Sequence, residues 1–194
     1  MAMKDKVAIV LDCFGLFTDD GFVLYFQNHF ETEEGNRLKN HFCDDADVGK
    51  NKGLYEVIGM MHDELGVSKE QLRKEIMGRS VVHPDMIDLA LRLKERHDTF
   101  LLSNCMDVML EEIFAGYPFN ECFTAQFRSY QVGMAKPDPK LYAYVLNQLK
   151  DYDHVYFFDD NPVNVNAANN AGMEAYVFTS VKEAEALLKK LELL

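Results

Sequence analysis

Residues 7–20 read VAIVLDCFGLFTDD. Val7–Leu11 form a continuous aliphatic run with no polar alternation, the pattern of a strand buried on both faces in a parallel sheet covered by helices. The run stops on Asp12, and the chain then breaks at Gly15. In open α/β sheets ligands bind outside the carboxyl ends of the strands, so Asp12 is a candidate site residue as well as a turn former. Three more runs of the same kind follow: TFLLS (99–103), VYFFD (155–159) and AYVF (175–178). Between them lie helical spacings in HPDMIDLALRLKERH (83–97), where Pro84 stands near a helix start, in PKLYAYVLNQLKD (139–151) and in VKEAEALLKKLELL (181–194). Strands alternating with helices predict an α/β fold, a Rossmann-like parallel sheet with helices on both faces.

Residues 20–80 depart from that alternation. FVLYFQNHFE (22–31), EGNRLKNHFC (34–43), GLYEVIGMMHDELG (53–66) and SKEQLRKEIMG (68–78) read as helices, the second and third separated by the polar stretch DDADVGKNKG (44–53). Ser68 followed by Gln71 fits a capping box for the last of them. The division expected is a core of residues 1–17 and 83–194, interrupted after its first strand by a small helical insertion of residues 18–82.

Bulk composition narrows the function classes. The chain has 194 residues, enough for one core plus a small insert. Its formal net charge of −12, with no basic patch, argues against nucleic acid and anionic membranes as partners. No run of about 18 uncharged apolar residues offers a membrane helix, and the first dozen residues do not read as a secretion signal. Cys13, Cys43, Cys105 and Cys122 are too scattered for a metal pair or a disulfide framework. A soluble protein of the reducing cytoplasm is the reading.

Polar residues gather where the strands end: Asp12 after the first, Ser103 and Asn104 after the second, Asp159 and Asp160 at the third. Lys136 sits in the turn-rich VGMAKPDPKLY (132–142). Taken singly, Asp12 closes a turn, Ser103-Asn104 caps a helix, and Lys136 is a solvated loop lysine. The Asp159-Asp160 pair is less ordinary, because adjacent carboxylates repel unless a cation lies beside them.

In order, VLDCFG (10–15), LLSN (101–104), GMAKPDPKLY (133–142) and FFDDNPVNVNAANNAGM (157–173) resemble the four motifs of the haloacid dehalogenase-like hydrolases, in the branch with a helical cap inserted after the first strand. The last two motifs look most like the sugar-phosphate phosphatase side of that superfamily. The resemblance implies a Mg²⁺-dependent hydrolase of small phosphorylated metabolites. Asp12 would be the nucleophile that forms an aspartyl phosphate, with Lys136 and Mg²⁺ neutralising charge. Ser103 and the Asn104 amide would hold phosphoryl oxygens. Asp12, Asp160 and the Phe14 carbonyl would hold the metal, with Asp159 a second acidic ligand or an outer partner and Asn164 orienting that shell.

Phe14 departs from the pattern. Phosphatases of this family usually carry there a second aspartate that protonates the leaving oxygen, which phenylalanine cannot do. The phosphatase reading therefore predicts slow turnover, unless Asp19 or Asp20 substitutes rather than serving as loop or helix cap. Two alternatives stand beside it. An aromatic at this position resembles the metal-independent 2-haloacid dehalogenases, for which Arg37 or Arg79 would have to clamp the substrate carboxylate. The other is a catalytically impaired protein that binds a phosphate or metabolite. The six histidines show no metal-ligand spacing, and Phe22, Tyr25, Lys50 and Lys52 are lesser candidates for the pocket.

Overall fold

The computed structural model describes residues 5–50 and 52–194; residues 1–4 of the expected core and Asn51 of the GKNKG loop lie outside it. In chain order the elements are β1 (Val7–Leu11), α1 (Gly21–His29), α2 (Thr32–Asp47), α3 (Leu54–Leu65), α4 (Lys69–Arg79), α5 (Pro84–Lys94), β2 (Asp98–Ser103) and α6 (Met109–Ile113). A 3₁₀ turn (Phe119–Cys122) leads to β3 (Ala125–Arg128), α7 (Ser129–Val132), α8 (Pro139–Gln148), β4 (His154–Asp159), α9 (Pro162–Ala171), β5 (Glu174–Val177) and α10 (Val181–Lys190).

Among the described residues the strands form one sheet, ordered β3-β2-β1-β4-β5, with every neighbouring pair parallel. The two-residue period of β1 explains its unbroken hydrophobicity. Ile9 and Leu11 face a layer with Leu101 and Phe158, covered by Met86, Leu89 and Leu93 of α5 and by Leu188 of α10. Ala8 and Val10 face the opposite layer with Leu102 and Phe157, covered by Leu141 and Val145 of α8 and by Val165 and Ala168 of α9. Each buried valine, leucine or isoleucine among them contributes about 1.5–3 kcal/mol. From β1 the chain winds outward to β2 and β3, then returns to the other side for β4 and β5. This reversal parts the loops after β1 and β4 and opens a crevice at their carboxyl ends.

The strand at the β3 edge is the one missing from the sequence reading. Its four residues, AQFR, bury only Phe127 and Arg128, so no apolar run announces it.

The helices α1–α4 enclose a third hydrophobic cluster that includes Phe22, Phe26, Phe42, Leu54, Met61, Leu72 and Ile76. A Cβ at Gly21 would stand 2.1 Å from the Ile76 carbonyl oxygen, so α1 and α4 approach this closely only because the residue is glycine. Two expectations change here. The helix α2 runs on through Asp44, Asp45 and Asp47, which the polar composition of that stretch had placed in a separating loop. Ser68 does cap α4, accepting from Gln71 N at 3.2 Å, but the Gln71 side chain turns to Glu75 at 3.0 Å instead of completing the box.

Two antiparallel threads join the helices to the sheet. Thr18 bridges Val82, Asp19 N donates to the Val81 carbonyl at 3.1 Å, and His83 N donates to that of Phe17 at 2.8 Å. Phe14 packs against both the first and the third cluster, at the seam. No described helix is long and apolar enough to cross a membrane.

Candidate active site

A cavity of 440 Å³ opens where the crevice meets the helices. The sheet side contributes Asp12, Phe14, Asn104, Lys136, Asp160 and Asn164 to its lining, and the helical side contributes Phe22, Lys39, Cys43 and Asp47, with Asp20 at the entrance to α1.

Lys136 organises the sheet side. Its Nζ lies 2.6 Å from Asp12 Oδ1 and 2.7 Å from Asp159 Oδ2, with Asp12 and Lys136 only 5% and 6% exposed and Asp159 fully buried. An ammonium held this deep needs both carboxylates, because an unpaired buried charge costs several kcal/mol. Burial alone would lower its pKa, but Asp12 and Asp159 more than offset this and hold it above the ordinary lysine value. Asp12 is held well above the usual carboxylate range, by burial first and by Asp159, with Lys136 pulling the other way. The loop bearing Lys136 is pinned in turn: Lys136 N donates to Asn104 Oδ1 at 2.8 Å, and Asn104 Nδ2 donates to the Lys136 carbonyl at 2.9 Å.

Asp159 ends β4 with every neighbour committed. Besides Lys136 it accepts from Asn161 N at 2.8 Å and from Asn164 Nδ2 at 3.0 and 3.1 Å, in the first turn of α9. Asp160, one residue on, is exposed to the cavity. Burial raises its pKa first and Asp159 second, with Lys136 opposing. Gly15, with φ of +79°, makes room for it: a Cβ there would sit 2.2 Å from Asp160 Oδ2.

Carboxylate oxygens of Asp12, Asp159 and Asp160 all lie within 4.8 Å of one another. Three carboxylates against one ammonium leave an excess of negative charge on hard oxygen donors, a set that fits a divalent cation such as Mg²⁺. Since Asp159 is saturated by donors, the groups best placed to ligate are Asp12 and Asp160.

Of the residues singled out in the sequence, Asp12, Phe14, Asn104, Lys136, Asp160 and Asn164 meet at the cavity. Ser103 does not: it is fully buried outside the lining, its hydroxyl 3.4 Å from the Asn104 carbonyl oxygen. The side chain of Asn104 is spent on Lys136. Asp20 caps α1, accepting from Val23 N at 3.0 Å, and Asp19 lies 3.3 Å from His83 Nε2. Arg37 pairs with Glu34 and Arg79 with Glu75, and neither lines the cavity. Lys50 and Lys52 both engage Asp45. Cys13 and Cys105 are buried, and burial pushes both thiols up, that of Cys105 to about 12.

Among the lining residues that the sequence reading missed are Met106, Met109 and three positions at i, i+4 and i+8 of α2, Lys39, Cys43 and Asp47. That spacing was visible, but it becomes a signal only once Asp47 is known to continue the helix.

A family model described as haloacid dehalogenase-like hydrolase matches residues 8–172. Among solved structures, a HAD family enzyme from Bacteroides thetaiotaomicron is similar at 22% identity and a TM-score of 0.78, over 95% of this chain and 99% of that one. The wild-type form of that enzyme in complex with magnesium and inorganic phosphate matches at 20% identity and a TM-score of 0.72, over 90% and 94%. The L-2-haloacid dehalogenase of Xanthobacter autotrophicus matches at 20% identity and a TM-score of 0.61, over 94% and 82%. At these identities the likeness is one of fold.

Proposed function

The chain belongs to the haloacid dehalogenase-like hydrolases, and from that premise we propose that it hydrolyses small phosphomonoesters in a Mg²⁺-dependent reaction, slowly, with Asp12 as the nucleophile. The observation that carries the reading is the buried Asp12–Lys136–Asp159 bridge with Asp160 beside it. Crystals of the Bacteroides relative holding magnesium and phosphate add support. Residues 18–82 act as a cap over a core of residues 1–17 and 83–194. The four buried thiols suit a reducing cytoplasm.

Asp12, Asp160 and the Phe14 carbonyl would hold Mg²⁺, with Asp159 and Asn164 fixing their positions from behind. When bound, the ion supplies positive charge against which two anions can meet. An Asp12 oxygen attacks phosphorus as the ester P–O bond breaks, and the departing alkoxide takes a proton from water. Lys136 stays protonated, holds Asp12 in line and faces the phosphoryl oxygens. A water then attacks phosphorus, the bond to Asp12 breaks, and inorganic phosphate leaves as the carboxylate is restored. Ser103 has no exposed surface to offer, so phosphoryl contact falls to Lys136 and to backbone amides. Phe14 supplies no proton at either step.

Phosphate release with and without Mg²⁺ tests this. Acetyl and p-nitrophenyl phosphates should turn over, and alkyl esters slowly. Asp12→Asn should abolish release, and Phe14→Asp should accelerate the alkyl esters by about 10²- to 10⁴-fold. A wild type inert toward activated phosphates, with an active Phe14→Asp, would make the protein a binder. The dehalogenase reading has Phe14 and the Xanthobacter likeness in its favour. Against it, no described arginine lines the cavity and the acidic cluster would repel a haloacid anion. Halide release from 2-chloropropionate without metal would establish it.

A further inference from the structure

The helical wall of the cavity differs in kind from the sheet wall. Asp47 lines it from the last residue of α2, a sixteen-residue helix with no basic residue in its final turn. Three unfavourable conditions meet at that carboxylate. It is partly shielded from solvent, it stands at the negative end of a helix dipole, and no described residue gives it a hydrogen bond or an ion pair within 4 Å. Burial pushes it up to about 7, with Lys39 lowering it and Asp20 and Asp44 adding to the rise. Asp20, on the same wall, is occupied by the α1 cap. Around the whole cavity stand the carboxylates of Asp12, Asp19, Asp20, Asp47 and Asp160, against the ammonium groups of Lys39 and Lys136. A divalent ion at Asp12 and Asp160 would answer the charge of the sheet wall and leave Asp47 unanswered.

We propose that Asp47, with the carboxyl end of α2, is a subsite for a positively charged group, so that the favoured substrates are small zwitterionic phosphomonoesters carrying an ammonium on the alcohol released. The proposal rests on the phosphomonoester reading above. Phosphate would lie toward Lys136 and the ammonium toward Asp47, with the apolar faces of Phe14, Phe22, Met106 and Met109 between. Aromatic faces and thioethers tolerate a cation there. The chemistry gains as well. An ammonium two carbons from the ester oxygen withdraws electron density and makes the departing alkoxide less basic, which offsets in part the acid that Phe14 cannot provide. In the transfer the P–O bond to the amino alcohol breaks as the Asp12–phosphorus bond forms, the amino alkoxide takes a proton from water, and the ammonium is unchanged.

The experiment compares phosphate release by the full-length protein with Mg²⁺ from 2-aminoethyl phosphate, its neutral counterpart propyl phosphate and the anionic phosphoglycolate, with acetyl phosphate as the probe of core chemistry. In the wild type, kcat/KM for 2-aminoethyl phosphate should exceed that for propyl phosphate by tenfold or more, with phosphoglycolate lowest. Within each variant the ratio of the first two substrates is read, which cancels losses of folded protein. Asp47→Asn should bring the ratio to within threefold of one, mainly through KM. Asp47→Glu should keep the preference, and Asp47→Lys should shift it toward phosphoglycolate. Turnover of acetyl phosphate with equal rates on the aminoethyl and propyl esters overturns the subsite and leaves the hydrolase. An unchanged ratio in Asp47→Asn overturns the assignment to Asp47. Silence on every substrate, acetyl phosphate included, overturns the hydrolase reading and the subsite with it.

Discussion

The two walls of the cavity handle charge in opposite ways. On the sheet wall each group answers another: Lys136 bridges Asp12 and Asp159, Asn164 and Asn161 complete Asp159, and Asn104 fixes the backbone of Lys136. On the helical wall Lys39 and Asp47 reach each other only through longer-range attraction, and neither forms an ion pair within 4 Å with a described residue. The difference teaches a division of labour. A constellation that must be in place before substrate arrives is held by partners within the fold, whereas a wall left unsatisfied keeps its interaction energy for a ligand.

Breaking the sheet wall should have the largest effect. Lys136→Met removes the cation between two buried carboxylates, and truncating one member of such a set costs about 3–5 kcal/mol. Urea unfolding at pH 7 should show that loss, phosphate release should vanish, and the deficit should shrink as pH falls and the carboxylates take up protons. Mg²⁺ in millimolar excess should restore part of the stability of this variant, since a ligand that binds only the native state stabilises it. An unfolding midpoint indifferent to Mg²⁺ would argue against a cation site at Asp12 and Asp160.

The helical wall should respond with the opposite sign. Asp47 has a native pKa raised from 3.8 to about 7, so the native state holds its proton more tightly than the unfolded chain. Its effect on stability is nil below about pH 4 and becomes increasingly unfavourable as pH rises, reaching its full size above pH 7. Asp47→Asn should thus be close to neutral at pH 4 and stabilising at pH 8, by no more than about 4 kcal/mol. Denaturant titrations at the two pH values read the effect. A variant that gains nothing at pH 8 would mean that Asp47 is solvated or has found a partner, and the contrast between the walls would disappear.

This contrast also marks how far the amino-acid sequence could be read. The sheet was legible because a strand buried on both faces must be continuously apolar, so Val7–Leu11 and its counterparts stood out, and the carboxyl ends of those strands pointed to Asp12, Asp159 and Asp160. β3 was not, since an edge strand with two polar residues in four has no such constraint. Ser103 looked like a hydroxyl at a strand end, but it is fully buried as the last residue of β2, paired with Arg128 of a strand that the sequence did not reveal. Lys39 and Asp47 escaped for a related reason: charged residues on a helix normally face water, and only the way α2 docks decides that this stripe faces a cavity. Partners within one motif are legible, while those supplied by packing between units are not.

Asp20 gives the finest test, because it belongs to both regimes. It lines the helical wall, yet its Oδ1 accepts from Val23 N at 3.0 Å as the cap of α1. Burial raises its pKa, and the backbone hydrogen bonds from Val23 and Phe22 lower it. An amide oxygen can accept the same bond, so Asp20→Asn should hold α1 in place and change stability by no more than about 0.5 kcal/mol, whereas Asp20→Ala should cost about 1 kcal/mol by exposing the capped amide. Thermal unfolding at pH 7 separates the two. Were both substitutions to stabilise the protein, as Asp47→Asn should, Asp20 would be an unanswered charge like Asp47, and the boundary between satisfied and unsatisfied walls would have to be redrawn to pass on its other side.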